Sequence, residues 1–218
     1  MAGKIVICPK CNEKIEEKFR IEKQKLLIVE GRDEEEFFTA LLRQLGITDI
    51  QVAGIGGKYK LRVNLKTLKT TEPLFAGVNS LGIIRDADDD HQSAFVAVQD
   101  ALNAAGLPCP RRPLTPVGAS PKVTIMILPP STSRGALEDV CLELVRDDPA
   151  MSCVDDFFHC LDEKAIGRPG KDFNKAKVKV FLASREDPTL RLGEAAGKGY
   201  WPFSGTCLDE VRDFLRAL

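Results

Sequence analysis

The chain has 218 residues, a hydrophobic share of 44%, a charged share of 29% and a net charge of −1 at pH 7. This length suffices for one large domain with a buried core, and the balanced charge excludes a protein that coats nucleic acid through bulk positive charge. The longest apolar runs have about six to eight residues, far short of the roughly 20 that a membrane helix needs. The N-terminus has no apolar signal region, so we expect a cytoplasmic protein that does not enter a membrane.

Seven cysteines are scattered along the chain, an odd number that favours reduced thiols over a disulfide scaffold. The motif CPKC (Cys8 and Cys11) is one half of a zinc-ribbon signature, and no second CxxC motif follows it. Cys153, His159 and Cys160 could complete a site, but their spacing is irregular and argues against it. We therefore expect no structural zinc.

After a mixed-charge lead-in, short apolar runs alternate with segments of helical periodicity. Strands are predicted in KLLIVE, TDIQVAG, FAGVNSLGIIRD and KVTIMIL, and a helical segment follows each of them. This alternation predicts an α/β protein whose central sheet is mostly parallel, with helices on both faces.

The pattern divides the chain into three parts. Residues 1–24 are the lead-in that contains CPKC, residues 25–145 form the α/β core, and residues 146–218 are a helical, basic extension packed on that core. Within the extension, residues 164–198 carry nine lysines or arginines against four acidic residues, which favours a local positive surface.

Acidic residues follow two of the predicted strands. Glu30 closes the first strand, and Asp86 and Asp88 close the third. Because the carboxyl ends of parallel strands meet at one edge of a sheet, we expect these carboxylates to converge. Glu34 lies one helical turn beyond Glu30, at the same edge.

The segment GALED adds Glu138 and Asp139 at the start of the helix after the fourth strand. Converging carboxylates repel one another unless a cation joins them, and oxygen ligands suit Mg²⁺ or Mn²⁺. We predict one or two such ions here. A solvated acidic turn is the alternative, and the repeated placement at strand ends favours the metal. Replacing Asp88 with asparagine is then expected to weaken metal binding without lowering the stability of the metal-free protein.

Other acidic motifs fit the aspartate cluster less well. A calcium-binding EF-hand loop would need glycine and glutamate where this chain has His91 and Ala97. A haloacid-dehalogenase phosphatase has threonine or valine soon after its DxD motif, where this chain has Asp89. A receiver domain would place paired acids after the first strand and a single aspartate after the third.

The segment KYKLRVNLKTLKT is predicted to be a helix with basic side chains and no acid. Contacts with the phosphates of DNA or RNA are the functional interpretation, and a solvated helix face is the alternative. The adjacent acidic edge favours the first. The residues predicted to bind nucleic acid are Lys58, Arg62, Lys66 and Lys69.

The segment LLIVEGRDEEEFF, followed some fifty residues later by LGIIRDADDD, resembles the Toprim domain of topoisomerases, DnaG-type primases and overcoming-lysogenisation-defect (OLD) nucleases. Glu34, GALED and a late lysine make the OLD-like branch the closer match. The segment KAKVKVFLASREDPTLRLGEAAGKGYWPF is similar to the C-terminal part of a compact family of stand-alone Toprim-like proteins. The resemblance covers roughly residues 24–218 and implies a Toprim, Rossmann-like fold.

The resemblance implies metal-dependent phosphodiester chemistry on nucleic acid. Glu30, with Asp86 and Asp88, matches the acids that Toprim domains share, and Glu30 matches the proton-transfer group. The residues that match the second-metal acids of the OLD-like branch are Glu34, Glu138 and Asp139. The late lysine of that branch corresponds first to Lys175, with Lys177 close behind, and coordinates are needed to separate the two.

OLD-like Toprim domains commonly work with an ABC-type ATPase in defence against phage. This chain has no GxxxxGK[ST] motif, so such an ATPase would be a separate polypeptide. The leading hypothesis is a Mg²⁺-dependent nuclease. The alternatives are a non-enzymatic regulatory or binding subunit of a partner ATPase and a metal-dependent phosphohydrolase of small molecules. The chain is also expected to pair with a second copy of itself as a homodimer.

Overall fold

A computed structural model describes residues 4–7, 14–17, 19–71, 73–167, 170 and 173–218. At the N-terminus, β1 (Lys4–Ile7) and β2 (Lys14–Glu17) pair as an antiparallel hairpin. Cys8 and Cys11, for which no structural zinc is predicted, lie outside the described residues.

The central part of the chain alternates strands and helices, as the sequence predicts. The elements are β3 (Lys25–Val29), α1 (Arg32–Gln44), β4 (Ile50–Gly54), α2 (Leu61–Thr71), β5 (Ser80–Asp86), α3 (His91–Ala104), β6 (Lys122–Leu128) and α4 (Leu137–Leu144). Short 3-10 helices span Lys58–Lys60 and Pro73–Gly77.

The four central strands form one parallel sheet in the order β4-β3-β5-β6. From β3 the chain moves to β4 on one side and then returns past β3 to β5 on the other side. Adjacent strands whose connections lead in opposite directions leave a crevice at their carboxyl ends, where ligands bind in open α/β sheets. In this protein that crevice lies between β3 and β5.

Helices cover both faces of the sheet, which confirms the predicted α/β class. Alternate residues of β3 serve the two faces because successive side chains of a strand point in opposite directions. Leu27 and Val29 pack with α1 and the C-terminal helices, whereas Leu26 and Ile28 pack with α2 and α3.

The C-terminal part is helical, as predicted. It comprises α5 (Ala150–Glu163), α6 (Phe173–Ala183), α7 (Leu192–Gly197), a 3-10 helix at Thr206–Leu208 and α8 (Asp209–Ala217). Trp201 is 1% exposed, stacks on Phe181 and donates a hydrogen bond from its indole N–H to the carbonyl of Leu192. Gly193 lets α7 approach α1, since a Cβ atom there would lie 2.6 Å from the carbonyl oxygen of Asp33.

No helix within the described ranges is long and apolar enough to cross a membrane.

Candidate functional site

Five carboxylates meet at the carboxyl edge of β3 and β5. They are Glu30 directly after β3, Glu34 in the first turn of α1, Asp86 at the end of β5, Asp88 in the following loop and Glu138 at the start of α4. The negative charges of the other four all raise the pKa of Asp86, so the five side chains lie within electrostatic reach of one another.

These carboxylates form two groups. Strand alternation separates Asp86 from Glu30, and Asp88, which follows the strand with a positive φ, is the first acidic neighbour to raise the pKa of Glu30 and the last of the four that raise that of Asp86. In β5, Ile84 packs on the face of α1, and Ile83 packs on the face of α2 and α3. Asp86 is in phase with Ile84, and Arg85 is in phase with Ile83. We call Asp86, Glu34 and Glu138 the Asp86 group; Glu30 and Asp88 form the Glu30 group.

Asp86 is the most buried carboxylate of the site, with 9% of the residue exposed. Burial, followed by the charges of Glu34 and Glu30, raises its pKa well above the ordinary aspartate value. Its Oδ1 atom is buried and accepts no hydrogen bond from any residue that the structure describes. A buried carboxylate without a partner is costly, so this position needs either a proton or a cation.

Burial also raises the pKa of both other members of the Asp86 group, Glu34 and Glu138. The Nζ atom of Lys175 lies 4.0 Å from Oε1 of Glu138, and its positive charge lowers the pKa of both glutamates in part. Lys175 is therefore the basic side chain that α6 brings to this group.

Glu30 faces Arg85 on the other side of the sheet edge. Burial raises the pKa of Glu30 to about 7, and the positive charge of Arg85 opposes that rise. The Nε atom of Arg85 lies 3.4 Å from Oε1 of Glu30, an ion-pair distance without hydrogen-bond geometry. Both atoms are buried and have no hydrogen-bond partner among the described residues. Glu30 is thus poised to exchange a proton near neutral pH.

Asp88 is held by its backbone and by a lysine. It has a positive φ of 52°, and its N–H and C=O groups both bond to Gly135, at 2.8 and 2.9 Å. These bonds join the loop after β5 to the loop before α4. Lys58 donates a hydrogen bond of 2.7 Å to Oδ2 of Asp88, which raises the pKa of the lysine. Without metal, the ammonium group of Lys58 therefore neutralises the charge of Asp88.

Two predicted site residues contact other partners. Both carboxylate oxygens of Asp139 accept hydrogen bonds, from the N–H of Ala136 and from the side chain of Asn174. Asp139 thereby caps the first turn of α4. Lys177 pairs with Asp155 of α5 at 2.6 Å. Of the two candidate lysines, it is Lys175 that faces the carboxylates.

The predicted basic helix is a 3-10 turn (Lys58–Lys60) followed by α2. Arg62 and Lys66 are exposed on it. Lys69 instead donates hydrogen bonds to the carbonyls of Ala105 and Gly106, at the C-terminus of α3. Two predicted nucleic-acid residues therefore present their charge to solvent, while Lys58 and Lys69 have contacts within the protein.

Sequence reasoning missed Arg85 and Gly135. A charged residue inside the apolar run LGIIRD was the available signal for Arg85, since a buried arginine in a strand needs an acidic partner. No sequence pattern marks Gly135, because its role is to pair with the backbone of a residue 47 positions earlier.

The donor chemistry of the site fits a hard divalent cation, because it consists of carboxylates and includes a buried oxygen without a hydrogen-bond partner. In the described ranges, however, no group of three or more histidine, cysteine, aspartate or glutamate side chains is arranged so that it could hold a metal ion. The two observations agree if the carboxylates must turn toward one another, and away from their basic partners, before an ion binds.

Fold and site together define a parallel α/β protein with a carboxylate-rich switch point. A family model described as "Protein of unknown function (DUF3226)" matches residues 24–218, and the chain belongs to this family. The predicted Toprim membership stays a prediction, since that description names no domain class.

Among curated proteins the chain has no match. A similar solved structure is the C-terminal region of the OLD protein of Xanthomonas campestris pv. campestris, with 17% identity over 82% of either chain and a TM-score of 0.35. Similarity at this level carries no argument about what the present chain does.

Proposed function

We propose that this protein is a Mg²⁺- or Mn²⁺-dependent phosphodiesterase that cleaves nucleic acid at the edge between β3 and β5. One observation carries the proposal: the buried carboxylate of Asp86 lies at the switch point of a parallel sheet, within reach of four further carboxylates and without a hydrogen-bond partner among the described residues. An acidic cluster of this kind is stable only with protons or cations, and its oxygens are hard ligands.

The two groups of carboxylates suit one ion each. Asp86, Glu34 and Glu138 would hold the first, and Glu30 with Asp88 would contribute to the second. Bound divalent ions would activate a water molecule and stabilise the leaving oxygen of a phosphodiester. We assign no metal to Asp139, because both of its oxygens already accept hydrogen bonds.

The chain's own residues supply the remaining parts of the reaction. Glu30, whose pKa burial raises to about 7 in the metal-free protein, would be ionised beside a bound cation and could then accept a proton from the attacking water. Lys175, beside Glu138, can offset negative charge on the phosphate. Lys58, which donates a hydrogen bond to Asp88 without metal, would be available to a phosphate oxygen if Asp88 held a cation instead.

Substitution of neighbouring aspartates tests the metal site. Asp88→Asn is expected to weaken Mn²⁺ binding at least about tenfold, a loss of about 1.4 kcal/mol, and to abolish cleavage. Its metal-free stability should change by no more than about 1 kcal/mol, because the lost ion pair with Lys58 is partly exposed and asparagine tolerates the positive φ.

The matched control is Asp89→Asn, which makes the same charge change one residue further along the loop. Calorimetric Mn²⁺ titration and cleavage of a labelled oligonucleotide should distinguish the two variants. If both variants bind Mn²⁺ like the wild type, the carboxylates are structural and the proposed function is wrong.

The two candidate lysines make a second comparison. Lys175→Met should reduce cleavage by at least about a hundredfold while leaving Mn²⁺ affinity within a few fold, because its charge acts on the phosphate. Lys177→Met should keep cleavage and instead lose the ion pair with Asp155. Single-turnover cleavage rates measure the difference, and a larger loss in the Lys177 variant would reverse the assignment.

A non-enzymatic binding subunit is the second candidate. It is favoured by the arrangement itself, in which Lys58 and Arg85 already neutralise Asp88 and Glu30 without any metal. A protein that binds nucleic acid but neither binds Mn²⁺ nor cleaves would be such a subunit, and association with a separate ATPase would then be the expectation to test.

A further inference from the structure

We propose that the surface formed by Tyr59, Arg62, Val63 and Lys66 binds single-stranded nucleic acid, with Tyr59 stacking on an unpaired base. The inference rests on the proposed function, because it names the substrate class that would reach the carboxylate edge. We call these four residues the Tyr59 surface.

The Tyr59 surface combines apolar and basic side chains that are all exposed. Tyr59 is 91% exposed and Val63 is 65% exposed, large fractions for apolar side chains on ordered helical turns. Their spacing with Arg62 and Lys66 places all four on one side of the helix. The opposite side, which consists of Leu61, Leu65 and Leu68, is buried against the core. The Nζ atom of Lys58 lies 5.6 Å from the centroid of the Tyr59 ring, a contact that still leaves most of the tyrosine side chain exposed.

Charge selects the occupant. The 3-10 turn and α2 together carry basic side chains and no acid, which attracts a polyanion and disfavours a basic or purely apolar occupant. Arg62 and Lys66 are exposed on this face about one and two helical turns beyond Tyr59, a row of charges suited to a phosphate backbone that continues from a stacked base.

The surface is continuous with the candidate active site. Residue 58, which immediately precedes the tyrosine, donates its hydrogen bond to Asp88. The loop before it contains Gly56 and Gly57, both with positive φ, and the N–H of Gly57 donates to the carbonyl of Glu30. A strand that stacks on Tyr59 therefore places its next phosphates beside both members of the Glu30 group.

The exposed aromatic ring distinguishes single strands from duplexes. In a duplex each base is already stacked between its neighbours and paired, so an outward-pointing tyrosine meets only the sugar–phosphate backbone. In a single strand the ring can stack on the face of an unpaired base, whatever its identity. The structure thus favours binding that selects strandedness without selecting sequence.

Fluorescence anisotropy tests this assignment. A labelled mixed-sequence single strand of about 20 nucleotides, its RNA counterpart and the annealed DNA duplex are titrated with full-length protein in EDTA, which prevents cleavage. Tyr59→Ala should raise the dissociation constant for single strands at least about fivefold and change that for the duplex less than about twofold. Tyr59→Phe should bind like the wild type, since the ring remains.

Two further measurements keep the assignment falsifiable. Tyr59→Trp should show fluorescence quenched by single strands but not by the duplex, against the constant signal of buried Trp201. Phe157→Ala, which removes another exposed aromatic side chain on α5, should leave both affinities unchanged. Comparison of the DNA and RNA single strands shows which of the two nucleic acids the Tyr59 surface binds more tightly.

Equal affinities of Tyr59→Ala and wild type for single strands would overturn the inference, as would equal losses for single strand and duplex. Light scattering that shows a wild-type dimer and a Tyr59→Ala monomer would identify the surface as a contact between copies instead. Each result is separable from the proposed function. If Mn²⁺ binding and cleavage depend on Asp88 while Tyr59 is silent, catalysis stands and stacking is wrong. If stacking holds but nothing is cleaved, the binding subunit is favoured.

Discussion

Asp86→Asn is expected to make the metal-free protein more stable while it abolishes Mn²⁺ binding and cleavage. The wild-type carboxylate is buried, receives no hydrogen bond at Oδ1 from the described residues and is surrounded by like charges. A neutral amide of nearly the same shape removes the repulsion and can donate to the neighbouring carboxylates. The expected gain is about 1–3 kcal/mol, the usual cost of a buried polar group without a partner.

For a chain of this size, each kcal/mol corresponds to about 2–4 °C in melting temperature. The gain should be larger at pH 8 than at pH 5, because the wild-type carboxyl is protonated more fully at low pH and then carries no charge to bury. Thermal melts in EDTA at both pH values measure the gain, and calorimetric titration measures the loss of Mn²⁺ binding.

Asp90→Asn is the matched control for this variant. Asp90 caps the N-terminus of α3 and accepts hydrogen bonds from the N–H groups of Gln92 and Ser93. Asparagine caps as well as aspartate, so this variant should keep both stability and Mn²⁺ affinity. If Asp86→Asn melts below the wild type at pH 8 and retains Mn²⁺ binding, the carboxylate is a structural acceptor and no metal site exists there.

The strand ends and the meeting of their acids were predictable because they depend on local periodicity. Parallel strands bring their carboxyl ends to one edge, so an acid after the first strand and an acid after the third had to be neighbours once β3 and β5 paired. The same reasoning placed Glu34 and Glu138, since each lies within the first turn of a helix that begins at that edge.

The division of the acids between two faces was not predictable with the same certainty, because a shift of one residue at a strand end reverses every side chain. The pairing of Lys58 with Asp88 depends on a glycine turn whose path has no periodic signal. Sequence reasoning treated Asp88 as one of several repelling acids, whereas the structure gives it a lysine. We therefore expect the substitution by asparagine that relieves charge repulsion to be the one at Asp86 and not the one at Asp88.

Lys175 and Lys177 show a similar limit. The two lysines are two residues apart on one helix, so they point in different directions, but nothing local tells which direction faces the carboxylates. The answer depends on how α6 packs against α4 and α5, which places Lys175 near Glu138 and Lys177 against Asp155. Sequence periodicity does not predict how helices pack against one another, so it does not identify the lysine that faces the carboxylates.

The second prediction with a large expected effect is that the metal-free protein loses stability as the pH rises. In most proteins acidic groups have lowered pKa values and stability falls at low pH. Here burial raises the pKa values of four carboxyls, and Glu30 reaches about 7 from an ordinary 4.5. The four carboxyls are Glu30, Glu34, Asp86 and Glu138.

The sign follows from the direction of the shifts. A carboxyl whose pKa is higher in the folded state binds its proton more tightly there, so its contribution is fully present below the unfolded pKa. That contribution is lost as the pH rises through the folded pKa. For Glu30 alone, the window lies between about pH 4.5 and 7, and the loss is about 3 kcal/mol. The other three carboxyls change stability in the same direction.

Carboxyls with lowered pKa values act outside this window. Asp90 and Glu194, which accept backbone hydrogen bonds at helix N-termini, lose their contributions only as the pH falls below the ordinary values of about 4. The metal-free protein is therefore expected to be most stable near pH 5 and to lose stability steadily toward pH 8.

Divalent metal should cancel this loss, because ions bind the ionised carboxylates of the folded state and release their protons. Melting temperatures measured from pH 5 to 8 should fall in EDTA and stay level or rise in 10 mM Mg²⁺, and Glu30→Gln should flatten the EDTA curve. Arg32→Gln, which removes an exposed charge from the Glu36 ion pair, should leave the slope unchanged. A metal-free melting temperature that rises from pH 5 to 8 would show that the edge carboxylates are ionised and satisfied without metal, contrary to the proposed site.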